Sequence, residues 1–345
     1  MKTPLAFVAS ALDKGAAWVA RRGRARSVDL SGDVVLITGG SRGLGLCLAR
    51  EYAQRGAKLV LLARSAEELE RARFDLESQG AEVVAIPCDV ADELDVAEAF
   101  RRALARFGRI DVVVNNAGDI AVAPLAAMRR DDFKRAMDTN FWGTLNVVLA
   151  ALPTMRARQR GRIVNIASVG GLVAVPHLLP YSASKFAVTG LSYGLRAELA
   201  KSGIVVTTVC PGLLRTGSPV KALFKGDRSA EFAWFGISDS LPIVSMHAAR
   251  AARAIVEASC AGRARLILTP QAKVAAWGQA IAPEIAAAVL ARIDRWLPAS
   301  TAPGEARGSE SSSAAWPSWV AEIADRAATA NNETEPGVPA MAAPA

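Results

Sequence analysis

The segment VVLITGGSRGLGLCLAREYA, residues 34–53, decides the fold of this 345-residue chain. It reads as a short apolar strand, then a turn rich in glycine, then a helix. A glycine turn at that junction brings backbone N–H groups and the positive end of a helix dipole to one point, where a pyrophosphate can bind. The spacing Thr38-Gly39-x-x-x-Gly43-x-Gly45 differs from the common GxGxxG pattern. The segment therefore predicts the first unit of an α/β domain that binds a phosphate group.

The alternation of strand and helix continues to about residue 270. Seven short apolar runs are predicted as strands: Val34–Thr38, Lys58–Ala63, Glu82–Ile86, Asp111–Val114, Arg162–Ala167, Ile204–Val209 and Arg265–Leu268. Helical patterns lie between them, at 44–55, 66–79, 92–106, 131–158 and 181–201. Strands and helices that alternate at this spacing imply right-handed crossovers and a parallel sheet. We therefore expect an α/β fold with a doubly wound, seven-stranded parallel sheet of the Rossmann type.

The two ends of the chain differ in composition from the domain predicted at 30–270. Residues 1–29 form a basic amphipathic segment, and residues 271–299 read as a helical extension that is interrupted at Pro283. Residues 300–345 are rich in Ser, Ala, Gly, Pro and Glu, a composition that buries too little apolar surface to fold alone. We expect this tail to be largely disordered, with one short helix near Trp319–Ala328.

Composition argues against several classes of protein. No apolar run reaches the roughly 18 residues that a membrane-spanning helix needs. The net charge of +8 would suit nucleic acid, but no finger, RNP-like or basic-helix pattern accompanies it, so no nucleic-acid partner is expected. The cysteines are far apart and the histidines show no metal-ligand spacing: Cys47, Cys88, Cys210, Cys260, His177 and His247. The simplest expectation is a cytoplasmic protein with reduced thiols and no bound metal.

The segment PYSASKFAV, residues 180–188, places Tyr181 four residues before Lys185. Pro180 suits a first helical position, and the helical pattern continues until Gly203. Side chains four residues apart lie on one face of a helix, so Tyr181 and Lys185 would be neighbours. Taken alone, the pair could equally belong to an ordinary exposed helix face.

Several motifs together carry a resemblance to a known family. Besides the glycine turn they are NNAG at 115–118, Ser168, YSASK at 181–185 and PGLLRT at 211–216. Over about residues 30–270, the chain resembles the short-chain dehydrogenase/reductase family in its single-domain form. The resemblance implies an oxidoreductase that moves a hydride between a nicotinamide cofactor and a carbonyl or secondary alcohol.

The resemblance also assigns catalytic roles. A hydride added to a carbonyl leaves negative charge on oxygen, which a positioned proton donor must meet. Tyr181 is expected to be that acid/base. Lys185 would favour its phenolate and hydrogen-bond the nicotinamide ribose, and Ser168 would hold the substrate oxygen. Asn140 would keep a water in line with Lys185 for proton relay. The alternative for Asn140 is a buried amide that bends its helix.

The residues expected to contact the dinucleotide follow from the same resemblance. They are Thr38, Gly39, Ser41, Arg42, Gly43, Leu44 and Gly45 of the glycine turn, then Arg64, Ser65, Asp89, Val90, Asn116, Ala117 and Gly118, then Tyr181, Lys185, Pro211, Gly212, Leu214 and Thr216. Asp89 would hydrogen-bond the adenine, the backbone near Leu214 the nicotinamide amide, and Thr216 the phosphates.

The segment LVLLARSAEEL, residues 59–69, bears on the choice between NAD and NADP. An enzyme specific for NAD normally has an acid at the end of the second strand, where it binds the ribose 2′-hydroxyl. Here Ala63 stands in that place and Arg64 follows it. Arg64 and Arg42 could grip a 2′-phosphate, with Ser65 adding a hydroxyl, so NADP is the expected cofactor. Alternatively, both arginines are solvated surface charges.

The segment 217–245 stands where the family places its variable substrate lid. Its large rings favour a bulky, lipid-like or polycyclic small-molecule substrate: Phe224, Phe232, Trp234 and Phe235. Alternatively, these rings pack the lid onto the core. We also expect a homo-oligomer. A dinucleotide-sensing regulatory or scaffold protein of the same fold is the alternative function, and an epimerase-like or dehydratase-like relative is a weaker one.

The N-terminal segment offers a further contact. Leu5, Val8, Leu12 and Val19 can share one helical face in residues 1–28, and arginines follow them. Such a segment could lie peripherally on an anionic membrane surface. A helix packed on the protein itself is the alternative, and it is the preferred one. A secretory signal is disfavoured because Asp13 and Lys14 end the apolar run early.

Overall fold

The computed structural model describes residues 30–300, 302, 304–311 and 316–335. Twelve strands occur in this part of the chain: β1 (Val34–Thr38), β2 (Lys58–Ala63), β3 (Val83–Pro87), β4 (Val112–Asn115), β5 (Ala121–Val122), β6 (Gly161–Ile166), β7 (Ile204–Cys210), β8 (Leu214–Arg215), β9 (Leu223–Lys225), β10 (Met246–His247), β11 (Arg265–Ile267) and β12 (Glu305–Arg307). Seven of them form the central sheet, in the order β11-β7-β6-β4-β1-β2-β3.

All neighbouring strands of the central sheet run parallel. The α/β fold predicted from the sequence is therefore confirmed, and the bounds of each predicted strand differ from those observed by at most one residue at either end. The strand order reverses beside β1, which pairs with β2 on one side and with β4 on the other. In sheets of this type, ligands bind outside the carboxyl ends of the strands at such a switch point.

Eleven α-helices lie in the described residues: α1 (Gly43–Ala53), α2 (Ala66–Ser78), α3 (Glu93–Phe107), α4 (Arg130–Ala136), α5 (Gly143–Ala157), α6 (Leu179–Leu199), α7 (Arg228–Ser240), α8 (Ala248–Cys260), α9 (Pro270–Ile281), α10 (Pro283–Asp294) and α11 (Ser318–Ala330). The helix predicted at 131–158 is divided into α4, a π-helical segment Met137–Trp142 and α5. Local signals set some helix ends. For example, the Asp92 side chain caps α3, and Gly108 ends it in a left-handed conformation.

Two hydrophobic cores cover the two faces of the sheet. Because side chains alternate along a strand, Val35 and Ile37 of β1 face one core while Val34 and Leu36 face the other. The first core includes buried residues of α1, α2 and α8, and the second includes those of α3 and α5. The two cores pack both faces of the sheet, and many of the predicted site residues lie near the carboxyl ends of its strands. None of the helices in the described ranges is long and apolar enough to cross a bilayer.

The tail differs from the expected disorder. Within residues 304–311 and 316–335, β12 pairs antiparallel with β9, and α11 packs against the lid helix α7. Val320, Ala324 and Ala328 repeat every four residues along α11 and are buried. The average composition of the tail hides this apolar stripe, so only the short helix near Trp319–Ala328 was predictable. The basic segment predicted at 1–29 lies outside the described residues.

Candidate active site

A cavity of about 990 Å³ opens at the carboxyl ends of the central strands. It is lined by residues that directly follow β1, β4, β6 and β7: Gly39, Asn116, Ala167 and Pro211. All but three of the residues predicted for the site line this cavity. The exceptions are Thr38, Gly45 and Asn140, and each of them contacts a residue that does line it.

The glycine turn and the NNAG segment are locked together beside the cavity. The Thr38 hydroxyl accepts the N–H groups of Asn116 and Ala117, both at 3.0 Å. The Asn116 side-chain amide donates to the carbonyls of Thr38 and Gly39 at 3.1 and 3.2 Å. A Cβ atom at Gly45 would overlap the carbonyl oxygen of Gly39, so only glycine allows α1 to begin this close to β1. The backbone of the glycine turn therefore forms part of the cavity wall.

Tyr181 and Lys185 lie together at the other end of the cavity, on α6. The Lys185 ammonium is 5.6 Å from the centre of the Tyr181 ring and donates to the carbonyl oxygen of Ile166 at 2.9 Å. Burial lowers the pKa of Lys185 to about 8. Burial also raises the pKa of Tyr181, and a hydrogen bond with Ser168 opposes part of that rise. The phenol therefore keeps its proton at neutral pH, as a proton donor must.

Asn140 lies behind the cavity wall, in the π-helical segment between α4 and α5. Its buried side chain accepts the N–H of Asp119 at 2.9 Å and donates to the Ser184 hydroxyl at 2.8 Å. Gly118 separates it from Lys185: a Cβ atom there would be 3.0 Å from the Asn140 Oδ1 and 3.5 Å from the Lys185 Nζ. Asn140 thus lies beside Lys185, as its expected role in proton relay requires. It also lies in an irregular helical segment, as the alternative of a buried amide that bends its helix requires.

Arg42 and Arg64 occupy different environments at the cavity edge. Arg64 is exposed, and no ion pair of its guanidinium occurs among the described residues. Arg42 pairs with Glu68, at 3.2 Å between Nε and Oε2, and also with Glu333 of the tail. The Ser65 hydroxyl caps α2 by accepting the N–H of Glu68 at 3.2 Å. Of the two arginines, only Arg64 therefore presents an uncompensated charge to the cavity.

The four rings of the predicted lid divide into two pairs. Trp234 and Phe235 of α7 line the cavity, as do Val175 and Leu178 of the same hydrophobic cluster. Phe224 and Phe232 do not line it; their ring centres are 5.3 Å apart in a buried cluster, and the Phe235 ring also packs against Phe224. One pair thus gives the cavity an apolar wall, while the other packs the lid onto the protein.

Four acidic residues that line the cavity were not predicted for the site: Glu68, Asp119, and two from the lid and the tail, Asp239 and Glu333. Asp239 of α7 accepts the N–H of Leu214 at 3.2 Å, and burial raises the pKa of its carboxyl to about 7. Glu333 comes from the tail. Neither Asp239 nor Glu333 stands in a recognisable motif, so nothing local in the sequence marks them. Over the described ranges, no cluster of His, Cys, Asp and Glu is placed to hold a metal ion.

Comparisons with known proteins agree with this architecture. Residues 33–223 match the family model described as short chain dehydrogenase. A dehydrogenase/reductase SDR family protein 7-like of Anopheles gambiae is 37% identical over 262 residues, covering 74% of this chain and 81% of that protein. The oxidoreductase UcpA of Escherichia coli K12 is 43% identical over 188 residues, covering 54% of this chain and 71% of that protein.

A solved structure gives the same result. The crystal structure of levodione reductase resembles this chain with a TM-score of 0.61 and 28% identity, covering 70% of this chain and 98% of that one. The family match over residues 33–223 contains both the glycine turn and most strands of the central sheet. This chain belongs to the short-chain dehydrogenase/reductase family of oxidoreductases, which use a nicotinamide dinucleotide.

Proposed function

We propose that this protein is an NADP-dependent oxidoreductase that reduces a carbonyl, or oxidises a secondary alcohol, of a bulky apolar substrate. One observation carries the proposal: Tyr181, Lys185 and Ser168 line the same cavity as the glycine turn. A dinucleotide-sensing protein without chemistry would have no need to keep this group together.

The residues of the cavity fit a nicotinamide dinucleotide. At Gly39 and Gly43 the backbone has positive φ, and a side chain at Gly45 would fill the space where the turn approaches β1. We assign the phosphates to the turn from Gly39 to Gly45 and to Thr216. We assign the adenine side to Asp89, Val90, Asn116, Ala117 and Gly118, and the nicotinamide side to Pro211, Gly212, Leu214 and Lys185. When bound, the cofactor would supply or accept the hydride.

In this proposal, Tyr181 moves the proton. In the direction of reduction, its phenolic Oη–H protonates the oxygen of the former carbonyl, while the Ser168 hydroxyl holds that oxygen. The Lys185 ammonium stabilises the phenolate that remains. Asn140 holds the relay water beside Lys185, which its position across Gly118 supports. In oxidation, the same phenolate takes the proton back.

The preference for NADP rests on Arg64. An exposed guanidinium beside the cavity can grip a 2′-phosphate, and Ala63 supplies no acid to repel it. A charge-assisted hydrogen bond contributes about 1.5–3 kcal/mol. Arg64→Ala should therefore weaken NADPH binding roughly ten- to a hundredfold and leave NADH binding almost unchanged. Isothermal titration calorimetry with both nucleotides measures this.

Arg73→Ala is the matched control for this prediction. Arg73 lies on α2, the helix that follows Arg64 in the chain, and its guanidinium pairs with Glu70 and Glu77 of the same helix. It should leave the affinity for both nucleotides unchanged. Tighter binding of NADH than of NADPH by the unmodified protein would show that the preference for NADP is wrong.

The apolar wall of Trp234 and Phe235 supports a bulky, lipid-like or polycyclic substrate. A panel of aldehydes, ketones, steroids and acyl ketones tests the proposed function, with consumption of NADPH as the signal. Turnover should rise with the apolar surface of the carbonyl compound. A complete lack of NADPH consumption across the panel, with NADPH bound, would favour the sensor alternative.

We further propose a cytoplasmic homo-oligomer that touches a membrane peripherally through residues 1–28. Support for the membrane contact comes from the basic amphipathic pattern of that segment. The full-length protein should co-sediment with liposomes that contain anionic lipid, and a chain that begins at Val28 should not. Equal pelleting of the two proteins would leave the alternative, a segment packed on the protein itself.

A further inference from the structure

The end of the tail lies directly on the glycine turn. The backbone N–H of Gly43 donates to the carbonyl of Asn331 at 2.8 Å. The Asn331 side chain donates to the carbonyl of Thr216 at 3.0 Å and accepts from the Cys47 thiol at 3.1 Å. One residue of the tail thus bridges Gly43 and Thr216, two parts of the predicted phosphate site, and also contacts α1 at Cys47. It also uses one of the turn's backbone N–H groups.

The next residue fixes the tail from the other side of the turn. The Asn332 side-chain amide donates to the carbonyls of Ser41 and Glu68 at 2.8 and 3.0 Å, and its oxygen accepts from Arg71 at 2.8 Å. A Cβ atom at Gly217 would overlap Ala328 near the end of α11. The segment 328–333 is therefore seated by specific hydrogen bonds and close packing, not by loose contact.

Glu333 brings a negative charge to the same place. Its side chain is only 1% exposed and pairs with Arg42. A Cβ atom added to Gly43 would be 2.6 Å from the Glu333 Oε1, so this carboxylate lies against the backbone at the start of α1. The N-terminus of a helix is a position that favours an anion. The carboxylate thus stands where a phosphate group of a bound dinucleotide would be favoured.

We propose that segment 328–333 is an internal competitor of the dinucleotide, with Glu333 in the phosphate corner of the site. A buried carboxylate and a phosphate cannot share Arg42 and the turn without strong repulsion between like charges. Dinucleotide binding therefore requires the segment to leave. The observed association constant for the dinucleotide is then the intrinsic association constant multiplied by the fraction of molecules whose site is open. This inference rests on the proposed function, in which the turn and Arg42 hold the phosphates.

Glu333→Gln in the full chain tests the competitor. The change keeps the shape of the side chain but removes the charge that pairs with Arg42 and repels phosphate. NADPH should bind roughly tenfold or more tightly to this variant, since one charge-assisted contact of the closed form is lost. Isothermal titration calorimetry measures it without turnover. Glu335→Gln, an exposed acid two residues further on, is the matched control and should change nothing.

The outcomes separate this inference from the proposed function. Unchanged or weaker NADPH binding by Glu333→Gln would overturn the competitor. A preference of the unmodified protein for NADH would instead overturn the NADP assignment. The competitor would then be judged by whether Glu333→Gln tightens NADH binding, as it should if the segment blocks either nucleotide.

Hydrogen exchange of the backbone amides gives a second, independent measurement. If dinucleotide binding displaces the segment, the amides of α11 and of residues 331–333 should exchange faster in the unmodified protein when NADPH saturates it. Slower or unchanged exchange would mean that the tail closes over the bound nucleotide as part of the site, and would overturn the inference.

Discussion

Replacing Tyr181 by Phe should lower kcat by about 10²–10⁴-fold, because the change removes the proton donor and leaves the ring in place. The dissociation constant of NADPH should change little, since the glycine turn and Arg64 are untouched. The hydroxyl shares a hydrogen bond with Ser168, and phenylalanine keeps the packing of the ring, so the variant should stay folded. Steady-state kinetics and calorimetry on the same preparation separate the two effects.

Tyr193→Phe is the matched control for this substitution. Tyr193 lies on the same helix α6 but is exposed, and its hydroxyl accepts a hydrogen bond from Arg265 at the surface. It should keep the rate of the unmodified protein. If Tyr181→Phe retained more than about a tenth of that rate, the acid/base assignment would be wrong.

Lys185→Met should lower kcat by about a hundredfold or more and also weaken NADPH binding. Methionine keeps the apolar stem of the buried side chain but cannot donate to Ile166 or stabilise the phenolate of Tyr181. It also could not make the hydrogen bond that we propose between Lys185 and the nicotinamide ribose. A fall in both kcat and the affinity for NADPH distinguishes this variant from Tyr181→Phe, in which only kcat should fall.

Lys201→Met serves as control, because Lys201 is an exposed lysine just beyond the end of α6. Its kinetics and NADPH affinity should match those of the unmodified protein. A Lys185→Met protein that binds NADPH normally and turns over at more than about a tenth of the normal rate would remove Lys185 from the proposed mechanism.

The sheet was predictable because its signals are local. Each strand is a short apolar run, and the glycine turn requires Gly45 at the point where α1 meets β1. The pairing of Tyr181 with Lys185 follows from helix geometry alone, since four residues make about one turn. In such segments, the structure that the local sequence favours is the same as the structure that the whole fold stabilises.

The tail contact was not predictable for the opposite reason. Glu333 is 291 residues from Arg42 in the chain, and neither residue's neighbours indicate the pairing. Likewise, the Asp239 carboxyl meets the N–H of Leu214 only because the lid folds back over the cavity. Lid rings could be predicted as apolar, but tertiary packing alone decides that Trp234 lines the cavity and Phe232 does not.

The most direct test of the proposed chemistry follows deuterium from NADPH that carries deuterium at both hydrogen positions of C4 of the nicotinamide. The unmodified protein and Tyr181→Phe are incubated with the best carbonyl compound of the panel, and the alcohol is analysed by mass spectrometry. We predict an alcohol that carries one deuterium on the former carbonyl carbon, formed by the unmodified protein and almost absent with the variant. An alcohol without deuterium, or equal yields from the two proteins, would contradict hydride transfer assisted by Tyr181.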